Sequence, residues 1–353
     1  MSNSSITEED IAPFDTITAI LVLPMTNLTV MLYVYGVYTV LFIISLRILI
    51  RRRDRQNRIL YIFFTIALFT FTTALNTVNT FSYAEQATRM FTFTKNQDWA
   101  SFLAYLHHDN TKTIILGFEL VLPLCLVITA DLMLLYRCYV IWGSSKRIAF
   151  PLIFLMFSLT ICEIVASALQ VIGGNNATNP ARWRLYVQGA TIDEAFWVAN
   201  MGINIILTLL TAGRIWWISR EARKHLGPAS KIKYNMVVAV ILESGIIYPI
   251  FLIAATVVDR LANPDHHNSA PFSVWNVTYQ VTGIAPTLII IRAAGGKTIE
   301  HTSMKQTLSG LHFANGAGAG SGDSDTRSRV QTVDVEANPS AERMKNLGEE
   351  NAA

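Results

Sequence analysis

The chain has 353 residues, of which 52% are hydrophobic and only 15% are charged, and its formal net charge is +3. Soluble domains carry roughly a quarter of charged residues, so this deficit indicates that lipid is the solvent of most of the chain. The apolar content excludes an intrinsically disordered chain, and three cysteines are too few for a disulfide scaffold. The small net charge gives no reason to expect a nucleic-acid partner.

Seven segments have the length and the apolar content of membrane-spanning helices, which need about 20 residues. Backbone groups in lipid must be satisfied within the segment, so each segment is predicted to be helical despite its β-branched and aromatic residues. The predicted spans are 28–50, 59–82, 113–142, 148–172, 191–218, 234–258 and 270–292. The sequence therefore predicts an all-α seven-transmembrane helix bundle over 28–292, preceded by an extracellular segment at 1–27. Residues 293–353, which include a Gly- and Ala-rich stretch, are predicted to form a disordered cytosolic tail.

The distribution of Lys and Arg predicts the orientation of the bundle. The three loops at 51–58, 143–147 and 219–233 hold twelve of these residues, whereas the three loops on the other side hold six and residues 1–27 hold none. The positive-inside rule then places the N-terminus outside the cell and the C-terminus in the cytosol. Residues 1–16 are polar and acidic, so we expect the first span itself to direct insertion, most simply into the plasma membrane.

Four Asn-x-Ser/Thr sequons, at Asn3, Asn27, Asn176 and Asn276, lie on the predicted outer side or at outer span ends, and three of them make the chain a candidate glycoprotein. The acceptor residues are Asn3, Asn27 and Asn176. None of these sequons falls in a predicted inner loop, which agrees with the orientation derived from the basic residues.

Polar residues inside the spans are the candidates for ligand binding, because an ionisable or amide side chain in lipid is costly unless it faces the interior. Helical spacing gathers several of them into stripes on the second, fifth and seventh spans. The candidates are Glu119, Glu163, Asp193, Asn200, Asn204, Asn76 and Gln280. The stripes are expected either to line a hydrated or ligand-filled interior or to join helices by hydrogen bonds, and the sequence leaves both open.

A second group of residues is expected to switch between helix packings or to face a cytosolic partner. Three prolines lie deep enough in spans 3, 6 and 7 to kink their helices, and basic residues cluster with Trp and Tyr at the inner span ends. The switch or partner-facing candidates are Asp131, Arg137, Glu243, Pro249, Pro286, Arg220, Arg223 and Lys224.

Several kinds of chemistry have no support in the sequence. None of the seven histidines lies within a predicted span, the seventh span contains no lysine for a retinal Schiff base, and no P-loop or nucleophile elbow is present. We therefore predict a protein that is not an enzyme and has no cofactor. Weak metal-binding or pH-sensing candidates remain in two outer loops, at His107, His108, His266 and His267.

Four segments together resemble a family of receptor-like seven-transmembrane proteins from mushroom-forming (basidiomycete) fungi, for which no ligand or activity is established. These segments are DLMLLYRCYVIW at 131–142, RIWWISREAR at 214–223, ILESGIIYP at 241–249 and GIAPTLIIIRAAGG at 283–296. The topology also resembles that of G-protein-coupled receptors, with 136–139 at the position of their Asp-Arg-Tyr motif. Tyr136 replaces the acid of that motif, and the Asn-Pro-x-x-Tyr motif and the outer disulfide are missing.

The leading hypothesis is a receptor that senses an extracellular small molecule or peptide and signals through a heterotrimeric G protein or another cytosolic protein. The first alternative is a secondary transporter or proton-linked carrier that uses Glu119, Asp131 and Glu243 as a relay. The second is a structural or lipid-organising membrane protein whose polar stripes are filled by neighbouring side chains.

Overall fold

A computed structural model describes residues 21–51, 57–97, 110–176, 179–226, 228–262 and 272–292, with the side chains of 94, 219, 222–237 and 240 excepted. These residues form seven helices and no strand. The helices are α1 Leu23–Arg51, α2 Arg58–Asn96, α3 Asn110–Ile141, α4 Lys146–Gly174, α5 Pro180–Leu226, α6 Pro228–Ala262 and α7 Val274–Arg292. All seven are long and apolar enough to cross a membrane, which confirms the predicted number of spans and identifies an integral membrane protein.

The helices alternate in direction, so the bundle has two ends that need names. We call the end at which α1, α3, α5 and α7 begin the upper end, and the end at which they finish the lower end. Contacts between consecutive helices fix this arrangement: Thr113 near the start of α3 donates to Asn175 just beyond α4. Ser144 at the lower end, in the tight turn between α3 and α4, has a left-handed φ of 61°.

Threonine-rich stretches remain helical because their hydroxyl groups bond within the helix. In α2 the hydroxyl groups of Thr72, Thr73 and Thr77 each donate to the carbonyl four residues earlier, at 2.7 to 2.8 Å. These bonds satisfy the hydroxyl donors within the helix. Intrinsic helix propensity is therefore not what decides the conformation of this segment.

The helices differ strongly in how central they are. In the most apolar 18-residue window, 72% of the residues of α7 are buried but only 11% of those of α4. The surface of α4 instead carries exposed phenylalanines, among them Phe150, Phe154 and Phe157. We conclude that α7 lies at the centre of the bundle and that α4 has a broad face for lipid.

Close packing of α4 against α5 depends on glycine. A Cβ atom on Gly189 would lie 2.7 Å from the backbone oxygen of Ala166, and one on Gly173 would lie 2.4 Å from the backbone nitrogen of Tyr186. Backbone atoms cannot give way as a flexible side chain can, so only glycine permits this approach. Small residues at helix contacts are typical of membrane bundles.

Two helices extend well beyond the predicted spans. The predicted loop 83–112 is helical as far as Asn96, and the predicted loop 173–190 is helical from Pro180 onwards. Hydropathy finds only the apolar part of such a helix, whereas these extensions are stabilised in other ways. Glu85 and Arg89 form a 2.6 Å ion pair one turn apart in α2.

Candidate functional site

The upper end of the bundle contains a cavity of about 320 Å³, which we call the upper cavity. Residues of α2, α3 and α5 line it, together with Gly174 at the end of α4. Its polar and aromatic lining residues are Ser82, Glu85, Gln86, Lys112, Glu119, Trp183 and Tyr186. Two carboxyl groups and one ammonium group thus face a space large enough for a small organic molecule.

Glu119 is the one predicted ligand-binding residue that lines the upper cavity. Its side chain is half-buried, and the hydroxyl group of Ser82 donates a hydrogen bond to its carboxyl group. The rings of Trp183 and Tyr186, which line the same cavity, stack on each other, with centroids 5.1 Å apart and an interplanar angle of 16°. Carboxylates beside aromatic faces are a setting that suits a positively charged group.

Most of the other lining residues were missed by sequence reasoning, because they lie in 83–112 and 173–190, which were predicted as loops. Ser82, Ile115 and Leu116 lie within predicted spans but were not singled out. Two local signals could have found the residues in the predicted loops. Glu85 and Arg89 have the i,i+4 spacing of a helical ion pair. Asn179 followed by Pro180 is typical of a helix start, and in the structure the side-chain oxygen of Asn179 accepts from the backbone N–H of Ala181 at 3.0 Å.

Glu163 and Asp193 come together between α4 and α5, away from the upper cavity. Glu163 is 2% exposed, and its Oε2 has no hydrogen-bond partner among the described residues. The hydroxyl group of Ser167 donates to Glu163 at 3.2 Å, and the indole N–H of Trp197 donates to Asp193 at 2.9 Å. This pair joins two helices, and neither residue lines a cavity described here.

Asp131, Asn200 and Asn204 form a buried group between α3 and α5, which we call the α3–α5 cluster. The amide nitrogen of Asn204 donates to Asp131 Oδ1 and to Asn200 Oδ1, both at 2.9 Å. All three residues are less than 7% exposed. Asp131 and Asn200 also line a second, smaller cavity.

Amide side chains of α2 and α7 bond directly to each other, in a set of contacts that we call the α2–α7 seam. Gln280 Nε2 donates to Asn76 Oδ1 at 3.1 Å and to the backbone oxygen of Met31 in α1 at 2.9 Å. One turn higher, Asn276 Nδ2 donates to the hydroxyl oxygen of Tyr83 at 2.7 Å. Asn76 and Gln280 therefore join three helices.

Arg137 lies near the lower end and connects α3 to two other helices. Its Nη2 donates to the backbone oxygen of Pro286 in α7 at 3.1 Å, and its guanidinium carbon lies 5.6 Å from the ring centre of Tyr61 in α2. The neighbouring Tyr136 contacts Asn57 and the edge of Tyr61. Two predicted switch residues, Arg137 and Pro286, are thus in direct contact, whereas Asp131 lies elsewhere.

The remaining switch and partner-facing candidates are distributed along α5, α6 and α7. Glu243 is 66% exposed and forms a 2.8 Å ion pair with Arg292. Pro249 lies inside α6, and Arg220 lies over the ring of Trp216. Arg223 and Lys224 belong to α5, but their side chains lie outside the described residues.

The structure corrects one glycosylation candidate. Asn27 lies inside α1, is 4% exposed, and its side-chain oxygen accepts from the backbone N–H of Ser273 at 2.6 Å. A glycan cannot be attached to a side chain enclosed in this way, so the prediction for Asn27 was wrong. A sequon is recognised from three consecutive residues, which give no information on how the asparagine is packed in the fold. Asn176 is half-buried at the upper end and stays a prediction.

The weakest candidates lie outside the described residues. They are Asn3, His107, His108, His266 and His267. Within the described helices and turns, no group of His, Cys, Asp and Glu is arranged to hold a metal ion.

No protein-family model, no curated protein and no solved structure matches this chain. The resemblance to receptor-like fungal proteins therefore stays a prediction. The class of the protein rests on the fold alone: a bundle of seven helices, each able to span a membrane.

Proposed function

We propose that this protein is a receptor-like seven-transmembrane protein that binds a small ligand in the upper cavity and reports it at the lower end. The observation that carries the proposal is the pairing of a polar cavity at one end with the Arg137 contact at the other. In this proposal the upper end faces the outside of the cell, as the basic loops predict. The membrane is the plasma membrane, and the partner is a heterotrimeric G protein or another cytosolic signalling protein.

The lining of the upper cavity favours a ligand with a positively charged or zwitterionic group. Glu119 supplies one carboxyl group and Glu85, paired with Arg89, supplies a second. Lys112 supplies one ammonium group, and Trp183 and Tyr186 supply aromatic faces. A ligand amine would pair with Glu119, and a ligand carboxylate would pair with Lys112. The volume of about 320 Å³ restricts the ligand to a small molecule or to one or two residues of a peptide.

The signal would pass to the lower end as a change in helix packing. The three helices that line the upper cavity, α2, α3 and α5, continue to the lower end, and an aromatic cluster of Trp197, Trp275 and Tyr279 joins α5 to α7 between the two ends. At the lower end the Arg137 contact holds α3 on α7. A ligand shifts this equilibrium only if it binds one packing more tightly than the other.

A carrier is less well supported because its proposed relay is interrupted. Glu119 and Asp131 are twelve residues apart on α3, which corresponds to about 18 Å along the helix. Buried Leu124 and Val127 lie between them in an apolar cluster. Glu243 is largely exposed and paired with Arg292 rather than placed next in a chain of acids. Proton uptake by proteoliposomes that Glu243→Gln abolished would favour the carrier.

A purely structural role is favoured by one observation, the α2–α7 seam. In the seam, polar side chains of α2 and α7 bond to each other and so occupy the space between their helices, as the structural alternative requires. The upper cavity distinguishes the two proposals, because a purely structural role does not require an open polar cavity between four helices.

The test of the receptor proposal measures ligand-free signalling, so that no ligand need be known. Purified protein in nanodiscs is mixed with a panel of G protein α subunits, and GTPγS uptake is followed. Tyr61→Leu and Arg137→Gln both weaken the contact that holds α3, so each is expected to raise basal exchange three- to tenfold with at least one subunit. Tyr33→Leu is the matched control, because Tyr33 is 74% exposed on the lipid face of α1.

The upper cavity is tested separately by thermal unfolding in the presence of amino acids and primary amines. At least one of these compounds is expected to raise the unfolding midpoint of the wild type, and Glu119→Gln is expected to remove that shift. Glu221→Gln at the other end of α5 should leave it intact. If every compound leaves the midpoint unchanged and no α subunit responds to Tyr61→Leu, the receptor proposal is wrong.

A further inference from the structure

A second cavity, of about 200 Å³, lies halfway along the bundle between α3, α4 and α5. We call it the mid-membrane cavity. Its rim is apolar and turned towards lipid, since Leu132, Ile153 and Phe157 line it and are 42%, 49% and 63% exposed. Its polar lining is limited to Asp131, Asn200 and the half-buried Thr160. This cavity is separate from the upper cavity, and it opens towards the bilayer rather than towards either end.

The inner wall of this cavity carries an amide that lacks a partner. Asn200 is 2% exposed, and its Oδ1 accepts from Asn204. Its Nδ2 is buried and has no hydrogen-bond partner among the described residues. A buried donor left in this state is destabilised relative to one that is bonded, so an acceptor placed in the cavity would relieve that cost.

The depth of the cavity restricts what can supply the acceptor. Thr160 lies midway along α4, and Asn200 lies near the middle of the span Pro180–Ile218. The ester groups of bilayer lipids lie at the edges of a hydrocarbon layer about 30 Å thick, so they remain roughly 15 Å from this depth. The acyl chains that do reach it carry no acceptor at their ends.

We propose that the mid-membrane cavity binds a small apolar molecule dissolved in the bilayer. The ligand is a ketone, ether or ester with about ten to fourteen heavy atoms. Its hydrocarbon part contacts Val127, Leu132, Ile153 and Phe157, and its one oxygen accepts from Asn200 Nδ2. This site does not depend on the proposed receptor function, because it uses a different cavity and a different kind of ligand.

Benzophenone is a direct probe, since it is an apolar ketone of this size that forms covalent adducts with nearby C–H bonds under near-ultraviolet light. The full chain in nanodiscs is irradiated with benzophenone, and the adducts are located by mass spectrometry. We expect saturable labelling concentrated on Met156, which lines the cavity. Labelling spread evenly over lipid-exposed residues such as Phe150 and Phe154, without saturation, would overturn the proposal.

Two variants of α4 separate the cavity from the lipid surface around it. Thr160→Phe fills the cavity and is expected to lower the labelling of Met156 at least fivefold. Ser158→Phe is the matched control, because Ser158 does not line the cavity and its hydroxyl group, like that of Thr160, bonds the carbonyl four residues earlier at 2.9 Å. The control is expected to label within twofold of the wild type. Equal loss in both variants would contradict the assignment.

The hydrogen bond to Asn200 is tested by competition in the wild type. Dicyclohexyl ketone and dicyclohexylmethane have nearly the same shape and differ in the carbonyl oxygen. At equal mole fraction in the lipid, the ketone is expected to displace benzophenone at least fivefold more effectively. In Asn200→Leu the two competitors should be equal. If they are already equal in the wild type, the cavity holds apolar groups such as acyl chains and the proposal fails.

Discussion

The α2–α7 seam and the α3–α5 cluster have a similar pattern of polar residues in the sequence but different structures. Both are stripes of Asn, Gln, Asp and Thr at helical spacing within apolar spans. In the seam, Gln280 of α7 meets Asn76 of α2 and the backbone of α1. In the cluster, Asn204 takes both Asp131 and Asn200 as acceptors. Both structures leave a buried amide nitrogen without a partner among the described residues, Asn76 Nδ2 in the seam and Asn200 Nδ2 in the cluster, but Asn200 lines the mid-membrane cavity.

The difference shows what periodicity can and cannot specify. Spacing at 100° per residue identifies a face that turns inwards, and the predicted residues of α2 and α7, Asn76 and Gln280, are both buried. Whether that face meets a complementary amide or an empty space depends on the residue opposite, which belongs to another helix: Asn76 and Gln280 are 204 residues apart, and Asp131 and Asn204 are 73 apart. Buried polar residues are therefore found by sequence, but their partners are not.

The largest effect is expected from Asn204→Leu. Leucine has nearly the same shape as asparagine, but it removes the donor that Asp131 and Asn200 share and leaves a buried carboxyl group without it. The free energy of unfolding should fall by about 2 kcal/mol. Unfolding in mixed detergent micelles, followed by tryptophan fluorescence, measures this loss.

Thr129→Val is the matched control for that variant. Thr129 is also buried on α3, but its hydroxyl group donates to the carbonyl of Cys125 in its own helix. We expect a change below about 0.5 kcal/mol, since no bond between helices is lost. Similar losses in Asn204→Leu and Thr129→Val would mean that the cluster does not hold α3 on α5.

A smaller effect is expected at the seam, where it is best measured as a coupling. Asn76→Leu, Gln280→Leu and the double variant form a cycle in which the interaction energy should be about 0.6 to 1 kcal/mol, the range of such bonds in membrane proteins. Thr287→Val on α7, whose hydroxyl group bonds its own helix, gives the reference. An interaction energy of zero would show that the two amides do not stabilise each other.

The smallest effect is expected for Asn200→Leu. This variant removes one acceptor of Asn204 but also removes the unpartnered donor, and the two contributions oppose each other. The free energy of unfolding is expected to change by about 0.5 kcal/mol or less. A loss as large as that of Asn204→Leu would show that Asn200 is fully bonded in the membrane, and it would also weaken the case for a ligand beside it.

The number and nature of the spans could be predicted because the bilayer imposes one rule on every residue. Any segment such as ILYIFFTIALFTFTTAL must be helical in hydrocarbon, whatever its residues prefer in water. The burial of Asn200, Asn204 and Gln280 followed from the same rule. So did the helical state of the segments around the three prolines in spans 3, 6 and 7, where lipid overrides the loss of a backbone hydrogen bond.

The upper cavity could not be predicted, since it lies where that rule no longer applies. Five of its eleven lining residues sit on the ends of α2 and α5 that extend past the apolar spans, where helix caps and ion pairs decide the structure instead: Glu85, Gln86, Met90, Trp183 and Tyr186. The error at Asn27 has a related cause. Its enclosure depends on Ser273, which is 246 residues away in the sequence, and no local pattern reports such a contact.

Helix α5 has 47 residues, and α6 begins two positions after it ends. At about 1.5 Å per residue it is roughly 70 Å long, more than twice the thickness of the hydrocarbon layer. A tilt of ~10° about the middle of the membrane would displace either tip of the helix, ~35 Å away, by ~6 Å, so a motion that is small within the bilayer would be larger at the ends of the helix.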